Sequence, residues 1–375
     1  MKLSMLPGPV PVHPRVQQAM NKPMLGHRSP EFRELYVNTV TLCKRYLQTR
    51  YDLFILTGSG TVAVEAAVAN FVDQDRPQQF TCFINGKFSE RLAEIAEKFG
   101  ANVNRCVVEW GTAITKKFVE ECLSKYPETF MVLVCHNETS TGVLNPIEEI
   151  SAVCRKHNVL FLSDSITSVG GVYVCPDSQD IDIMVTGSQK CIAAAPGLSI
   201  ITISPKAWQR LPTKRHTYYS DLEIYKANGL KGFTPWTPAI TLMYGLEEAL
   251  IMMLEETEPK RSQRHAHCAN LLRIGINALG LEILAKNHYS PLVTAIKTPD
   301  SITAGSLREE MAKLDVIVAA GQSFLEGRYI RIATIGVVCE RDVLTTIAVL
   351  EIALTRLGYS CTGNGIKAVM DSVTQ

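Results

Sequence analysis

Phe161-Leu-Ser-Asp164-Ser165 and, further along, Ile183-Met-Val-Thr-Gly187-Ser188-Gln189-Lys190 decide how this chain folds. One apolar run ends in a carboxylate and the other ends in a lysine. If both runs are parallel strands, the two charged groups emerge at the same sheet edge, where open α/β sheets bind ligands. An acid and an amine held there could grip pyridoxal phosphate. The lysine would link covalently to its aldehyde and the carboxylate would pair with its ring nitrogen. Two ordinary surface charges at strand ends fit the same pattern, so neighbouring segments have to decide.

Around this pair, strand-like and helix-like segments alternate. Residues 51–56 lead into a Gly/Ser turn and an alanine-rich helical stretch over 61–71, and 80–84 reads as a strand. Ser89 opens a helix with Leu92, Ile95 and Phe99 on one face, and Gly100 ends it. Runs 103–108 and 130–135 are β-rich, the second apolar on both faces as a central parallel strand requires. Asn145-Pro146 reads as a cap and a first-turn proline, followed by a stripe of Ile147, Ile150, Val153 and Cys154. Further strands are predicted at 159–163, 182–187 and 199–203. The alternation predicts an α/β fold with a doubly wound, mostly parallel central sheet.

Beyond it, 237–256 reads as a long helix with Leu242, Leu246, Leu250 and Leu254 at intervals of four, and 261–279 as another. The order then becomes strand (292–296), helix (303–313), strand (315–319), strand (328–334) and helix (341–357). This predicts a smaller C-terminal α+β domain. The proline-rich Leu6-Pro-Gly-Pro-Val-Pro-Val-His-Pro14 is expected to run extended over another surface. The expected organisation is an extended arm over 1–20, a large domain over 21–254 and a small domain over 255–375.

Bulk properties narrow the function classes. The 375 residues are 46% hydrophobic and 20% charged with a formal charge of +1, which favours neither a nucleic-acid nor a membrane-surface partner. No signal-peptide core or span-length apolar run is found, and the C-terminal Ser372-Val-Thr-Gln375 is no peroxisomal or retention address. Eleven cysteines without a CxxC pair, several inside apolar runs, read as free thiols in a reducing compartment. A cytoplasmic location is expected. The eight histidines show no metal-ligand spacing, so no metal is expected.

Leu56-Thr-Gly-Ser-Gly60-Thr61 sits between a strand and a helix. Its glycines let backbone amides approach a phosphate, Ser59 and Thr61 offer hydroxyls, and the helix N-terminus adds partial positive charge. It lacks both the GxGxxG dinucleotide spacing and the GK[ST] of a P-loop. A phosphate anchor of this kind suits pyridoxal phosphate better than a nucleotide.

In order along the chain, Pro7-Gly8-Pro9, Gly26-His-Arg-Ser-Pro-Glu-Phe32, Gly58-Ser-Gly60 and Asn85-Gly-Lys-Phe88 resemble motifs of the class V aminotransferases, which have the fold type I of pyridoxal-phosphate enzymes. His136-Asn-Glu-Thr-Ser-Thr-Gly142, Ser163-Asp164-Ser165, Gly187-Ser-Gln-Lys190 and Arg328-Tyr-Ile-Arg331-Ile-Ala continue the match. The most similar branch is that of alanine–glyoxylate and serine–glyoxylate (serine–pyruvate) enzymes. Asn85-Gly-Lys-Phe, Glu109-Trp-Gly and Ser204-Pro-Lys-Ala-Trp also resemble cyanobacterial proteins labelled soluble hydrogenase subunits.

The resemblance implies roles position by position. Lys190 would hold the cofactor and then shuttle a proton between the substrate Cα and the cofactor C4′. Both tasks need a neutral amine, so a pKa lowered by desolvation and nearby positive charge is expected. Asp164 would keep the ring nitrogen protonated. Ser59, Gly60, Thr61 and Gln189 would bind phosphate, with Thr139 near the ring hydroxyl. Arg331 would clamp the substrate α-carboxylate in a bidentate pair. A homodimer with shared active sites is implied, Thr237 reaching the neighbouring subunit's phosphate.

Two positions depart from the family pattern. Phe88 stands where animal alanine–glyoxylate enzymes have the stacking tryptophan, which should change cofactor affinity by ~1 kcal/mol. Thr234 replaces the tyrosine that opens the cross-subunit loop Phe233-Thr234-Pro235-Trp236-Thr237-Pro238.

The activity implied is transfer of an amino group from alanine or serine to glyoxylate or pyruvate by two half-reactions. Ureidoglycine, 2-aminoethylphosphonate or aspartate remain alternative donors. Arg28 is a candidate second anion contact for a phosphonate or dicarboxylic substrate, and His136 either lines the site or is structural. Cysteine desulfurase ranks lower, because the small-domain loop Ala319-Ala-Gly-Gln-Ser-Phe-Leu-Glu-Gly327 carries no thiol. A non-catalytic assembly partner ranks lower too, since Lys190 and Asp164 are both present.

Overall fold

The computed structural model describes residues 2–215 and 217–374. Its main sheet has seven strands: β1 (Asp52–Thr57), β2 (Gln79–Ile84), β3 (Asn102–Val107), β4 (Thr129–Cys135), β5 (Leu160–Asp164), β6 (Ile183–Gly187) and β7 (Leu198–Ile203). They lie in the order β1-β7-β6-β5-β4-β2-β3. Strand β7 runs antiparallel to β1 and β6, and every other pairing is parallel. The protein therefore has the α/β fold with a mostly parallel central sheet.

Residues of alternating position sort into two cores, one on each face of the sheet. Val132, Val134 and Phe161 face one layer, and Met131, Leu133, Leu160 and Leu162 face the other. This is the two-residue side-chain period of a strand covered on both sides. Each such side chain, fully buried, stabilises the fold by about 1.5–3 kcal/mol. Helices Gly60–Ala69 and Lys87–Lys98 cover one face through Ala63, Val64, Leu92 and Ala96. Helices Pro30–Leu47, Ile147–Lys156 and Ile240–Glu256 cover the other.

After the long helix Glu258–Ala278, a three-stranded antiparallel sheet forms from Val293–Lys297, Tyr329–Ala333 and Ala319–Ala320. It shares a core with helices Ala304–Lys313, Glu340–Arg356 and Gly365–Val373. The strand predicted at 315–319 is split. Val316–Ile317 pairs in parallel with Leu3–Ser4, and only Ala319–Ala320 joins the sheet.

The N-terminal segment departs from the extended arm predicted over 1–20. Leu3–Ser4 is a strand, Met5 is buried in the C-terminal core, and Pro14–Met20 is a helix. Proline is tolerated at a first helical turn because its missing N–H has no partner there anyway. The His13 imidazole accepts the Arg15 N–H at 3.1 Å and completes the cap. The stretch between these elements has no regular structure and bends at 7–9, where Gly8 has φ +100°.

Two helix starts also shift. Pro146 is itself the cap of Ile147–Lys156, and the helix expected from 237 begins at Ile240, beyond Pro238. Among the described residues no helix is long and apolar enough to cross a membrane.

Candidate active site

Asp164 is the last residue of β5, and β6 ends at Gly187, three residues before Lys190. Both charged groups therefore reach the carboxyl edge of the sheet, beside the N-terminus of helix Gly60–Ala69. A cleft of about 490 Å³ opens there, lined by Ser59, Gly60, Thr61, Phe88, Thr139, Asp164, Gln189 and Lys190, together with Arg91, Cys135, Asn137, Ile166 and Thr167. Residues distant in sequence are gathered because β1, β4, β5 and β6 all point the same way.

Lys190 is half-buried and donates to the backbone carbonyl of Pro7. Burial lowers its pKa to about 8, and the nearby Arg331 and Arg91 charges push the same way. This meets the expectation of an amine that loses its proton readily. Gly8, at φ +100°, has no room for a side chain, since a Cβ there would lie 2.5 Å from Lys190 Cδ. The proline-rich strap therefore rests on the lysine's own stem.

Asp164 is 3% exposed, and its Oδ1 accepts the Ile166 N–H at 3.0 Å. Burial pushes its carboxyl upward, while Arg91 opposes that shift. Arg91 Nη2 lies 4.0 Å from Asp164 Oδ2.

One end of the cleft is an uncommitted helix terminus. Ser59 is the N-cap residue, yet its hydroxyl makes no capping bond, which leaves it and the first helical amides available to an anion. Gly60 is required by space, because a Cβ would stand 2.6 Å from Ile166 Cδ1. Within the same cleft, Asn137 Nδ2 and Gln189 Oε1 are buried without a hydrogen-bond partner. Buried polar atoms left unpaired are rare. A ligand offering a phosphate, a pyridine nitrogen and a phenolic oxygen matches the Asn137 donor, the hydroxyls and Asp164.

The class V aminotransferase family model matches residues 15–335. The chain belongs to that family. Among its relatives, an uncharacterized aminotransferase of Methanocaldococcus jannaschii is 39% identical over 99% of this chain and 97% of its own. A soluble hydrogenase 42 kDa subunit of Anabaena cylindrica is 36% identical, covering 96% and 95%. An alanine–glyoxylate aminotransferase of Oryctolagus cuniculus is 32% identical, covering 80% and 78%. Among solved structures, the ureidoglycine–glyoxylate aminotransferase of Bacillus subtilis superposes with a TM-score of 0.92 at 30% identity, covering 100% and 98%. The cofactor of this aminotransferase is pyridoxal phosphate, and the cleft fits it.

Three predicted site residues of the aminotransferase lie outside the lining of that cleft. Arg331, 6% exposed, donates from Nε to the Ala320 carbonyl at 2.8 Å and from Nη1 to the Thr139 carbonyl at 3.2 Å. Its burial lowers the guanidinium pKa to about 10. The bond to Thr139 sets it beside the cleft wall, and Nη2 makes no hydrogen bond to any described residue. Arg28 donates to the carbonyls of Thr234 and Pro235, both at 2.7 Å, and stacks over Phe233 at 5.8 Å. Its guanidinium is thus committed to the loop 233–238 rather than open to a substrate anion. Thr237 lines a separate cleft with Gly26 and His27. His136 is buried at 4% exposure and lines another cleft, with Glu148 and Tyr173, not the one holding Lys190.

Sequence reasoning missed Arg91, Asn137 and Glu138. Glu138 is fully buried and accepts from the Phe88 and Ser89 amides at 3.2 and 2.8 Å, which anchors the helix carrying Phe88 and Arg91. Gly86 must be glycine to admit it, since a Cβ would lie 2.3 Å from Glu138 Cδ. The adjacent Asn-Glu pair in the 136–142 motif was the available signal. Its partners sit some fifty positions upstream, so spacing alone did not reveal them.

Proposed function

We propose that this aminotransferase moves an amino group from a small amino acid, alanine or serine, to a small 2-oxo acid, glyoxylate or pyruvate, in two half-reactions. The observation that carries this reading is the meeting of Lys190, Asp164 and the open helix terminus at Ser59–Thr61 in one cleft. The alanine–glyoxylate and ureidoglycine–glyoxylate names of the relatives support glyoxylate as acceptor.

When bound, pyridoxal phosphate supplies an aldehyde that takes up the amino group and a ring that stabilises negative charge at the substrate Cα. The protein's residues do the rest. Lys190 holds the cofactor covalently at rest. Its neutral Nζ would be the base that moves the proton between the substrate Cα and the cofactor C4′. Asp164 keeps a proton on the ring nitrogen through a charge-assisted bond. Ser59, Gly60, Thr61 and Gln189 hold the phosphate, and Thr139 faces the ring oxygen. Phe88 would stack on the ring, and Arg331 would take the substrate carboxylate.

The reading includes a homodimer in which the loop 233–238 serves the neighbouring subunit's phosphate through Thr237. Its support is that the loop is clamped by Arg28 and that Thr237 lines a cleft other than its own chain's Lys190 cleft, beside the exposed Met24. The eleven free cysteines, nine of them buried, support a reducing, cytoplasmic setting.

A panel of amino donors assayed against glyoxylate and against pyruvate tests the proposal. Turnover of alanine or serine with glyoxylate should dominate. Dominant turnover of ureidoglycine, aspartate or 2-aminoethylphosphonate would replace the donor assignment.

A further inference from the structure

Arg91 has no role in the mechanism above, yet it lines the cofactor cleft and touches two of its principal groups. It lies one turn beyond Phe88 on helix Lys87–Lys98, and its guanidinium sits 5.0 Å from the Phe88 ring centroid. Nη2 stands 4.0 Å from Asp164 Oδ2, while Nε is buried with no hydrogen-bond partner among the described residues. The side chain is 31% exposed, and the carboxylate it faces is 4% exposed. An arginine over a ring usually has an additional acceptor to hold it. Among the described residues, the carboxylate within 4.0 Å of it is the one assigned to the ring nitrogen.

We propose that Arg91 is a positioning residue that keeps Asp164 ionised, and its free oxygen available, in the cofactor-free protein. It thereby sets how tightly the protonated heterocycle is captured. The inference rests on the reading of Asp164 as the ring-nitrogen partner. The charges that bear on Asp164 are Arg91 and Lys190, which favour the carboxylate, and Glu138, which disfavours it. Burial alone disfavours it most. Without Arg91, the apoprotein would hold a neutral carboxyl at a higher pH, and a cationic ring would lose its partner. The same guanidinium also lies over the Phe88 ring at 5.0 Å, so carboxylate and ring share a support.

The probe is 4′-deoxypyridoxine 5′-phosphate, which keeps ring nitrogen and phosphate but has no aldehyde for Lys190. Its affinity is read by fluorescence on apoprotein, with thermal melting to confirm folding. R91M should weaken binding about tenfold, the scale of one charge interaction across ~4 Å in partly screened surroundings, and R91K should restore most of it. In a D164N background R91M should cause a much smaller loss, the part owed to its contact with Phe88. An equal loss in both backgrounds would mark Arg91 as structural and overturn the proposal.

D164N alone separates the two layers of the argument. Probe binding as tight as wild type overturns the role of Asp164 and this inference with it. If D164N binds too weakly to measure, the pH profile decides. Wild type should hold the probe to lower pH than R91M, whose binding should fail at least one unit higher as Asp164 protonates. Superimposed profiles overturn the inference.

Discussion

Glu138, buried just beyond β4, accepts the Ser89 backbone N–H at 2.8 Å and the Ser89 hydroxyl at 2.9 Å. Its second oxygen accepts the Phe88 amide at 3.2 Å and the Ser140 hydroxyl at 2.6 Å. One carboxylate thus ties the start of the helix bearing Phe88 and Arg91 to the 136–142 turn bearing Thr139. Replacing it with alanine leaves several buried donors unpaired. Glu138→Ala should destabilise the protein by about 2–4 kcal/mol, read as a lower urea midpoint at unchanged slope. A midpoint equal to wild type would show that the helix needs no such anchor.

Lys190 should titrate far from an ordinary lysine. Burial brings its pKa to about 8, against ~10.4 for an exposed amine. A depressed lysine binds fewer protons in the folded than in the unfolded chain between those values. This group therefore costs stability at pH below 8, and the cost is relieved as pH rises toward the unfolded pKa. The rate of covalent labelling of apoprotein Lys190 by an amine-reactive probe should inflect near pH 8. An inflection close to pH 10 would contradict the buried placement.

Gly8→Ala should damage the site from a distance. The residue has φ +100°, and its new methyl would meet Lys190 Cδ at 2.5 Å. The backbone strain costs at least about 1 kcal/mol, and the clash displaces the lysine stem. We expect slower covalent incorporation of pyridoxal phosphate, measured by borohydride trapping and mass spectrometry of the Lys190 peptide. Trapping at the wild-type rate would mean that the strap does not set the lysine position.

Arg331→Ala should separate substrate capture from cofactor capture. Loss of charge-assisted bonds to a carboxylate, about 1.5–3 kcal/mol, should raise KM for the amino donor roughly 10- to 100-fold. Cofactor absorbance should stay intact. A variant with normal KM would remove Arg331 from the substrate site.

Arg28→Ala should loosen the loop that the guanidinium clamps at Thr234 and Pro235. We expect weaker cofactor retention and a lower dimer fraction by sedimentation, with monoanionic and dianionic substrates affected alike. A selective loss for dianionic substrates would return Arg28 to the role of a second anion contact.

The strand ends at Asp164 and Lys190, the helix opening at Ser59 and the family motifs were legible because each is a local pattern: an apolar run, a turn, a cap. The strap at Pro7, the split at 316–320 and the commitment of Arg28 were not. Each depends on a partner far along the chain, and no periodicity records which distant backbone carbonyl a guanidinium or an ammonium will find.

The sequence by itself determined the parallel α/β scaffold, through two-residue alternation along consecutive residues, and the cofactor, through the ordered succession of family motifs. Tertiary structure alone decided that Arg91 faces Asp164, that Glu138 braces Phe88 and that Pro7 sits on Lys190. Those contacts exist because β2, β4, β5 and β6 are hydrogen-bonded into one sheet whose carboxyl ends share an edge. Proximity across such an edge comes from register and packing, not from position in the chain.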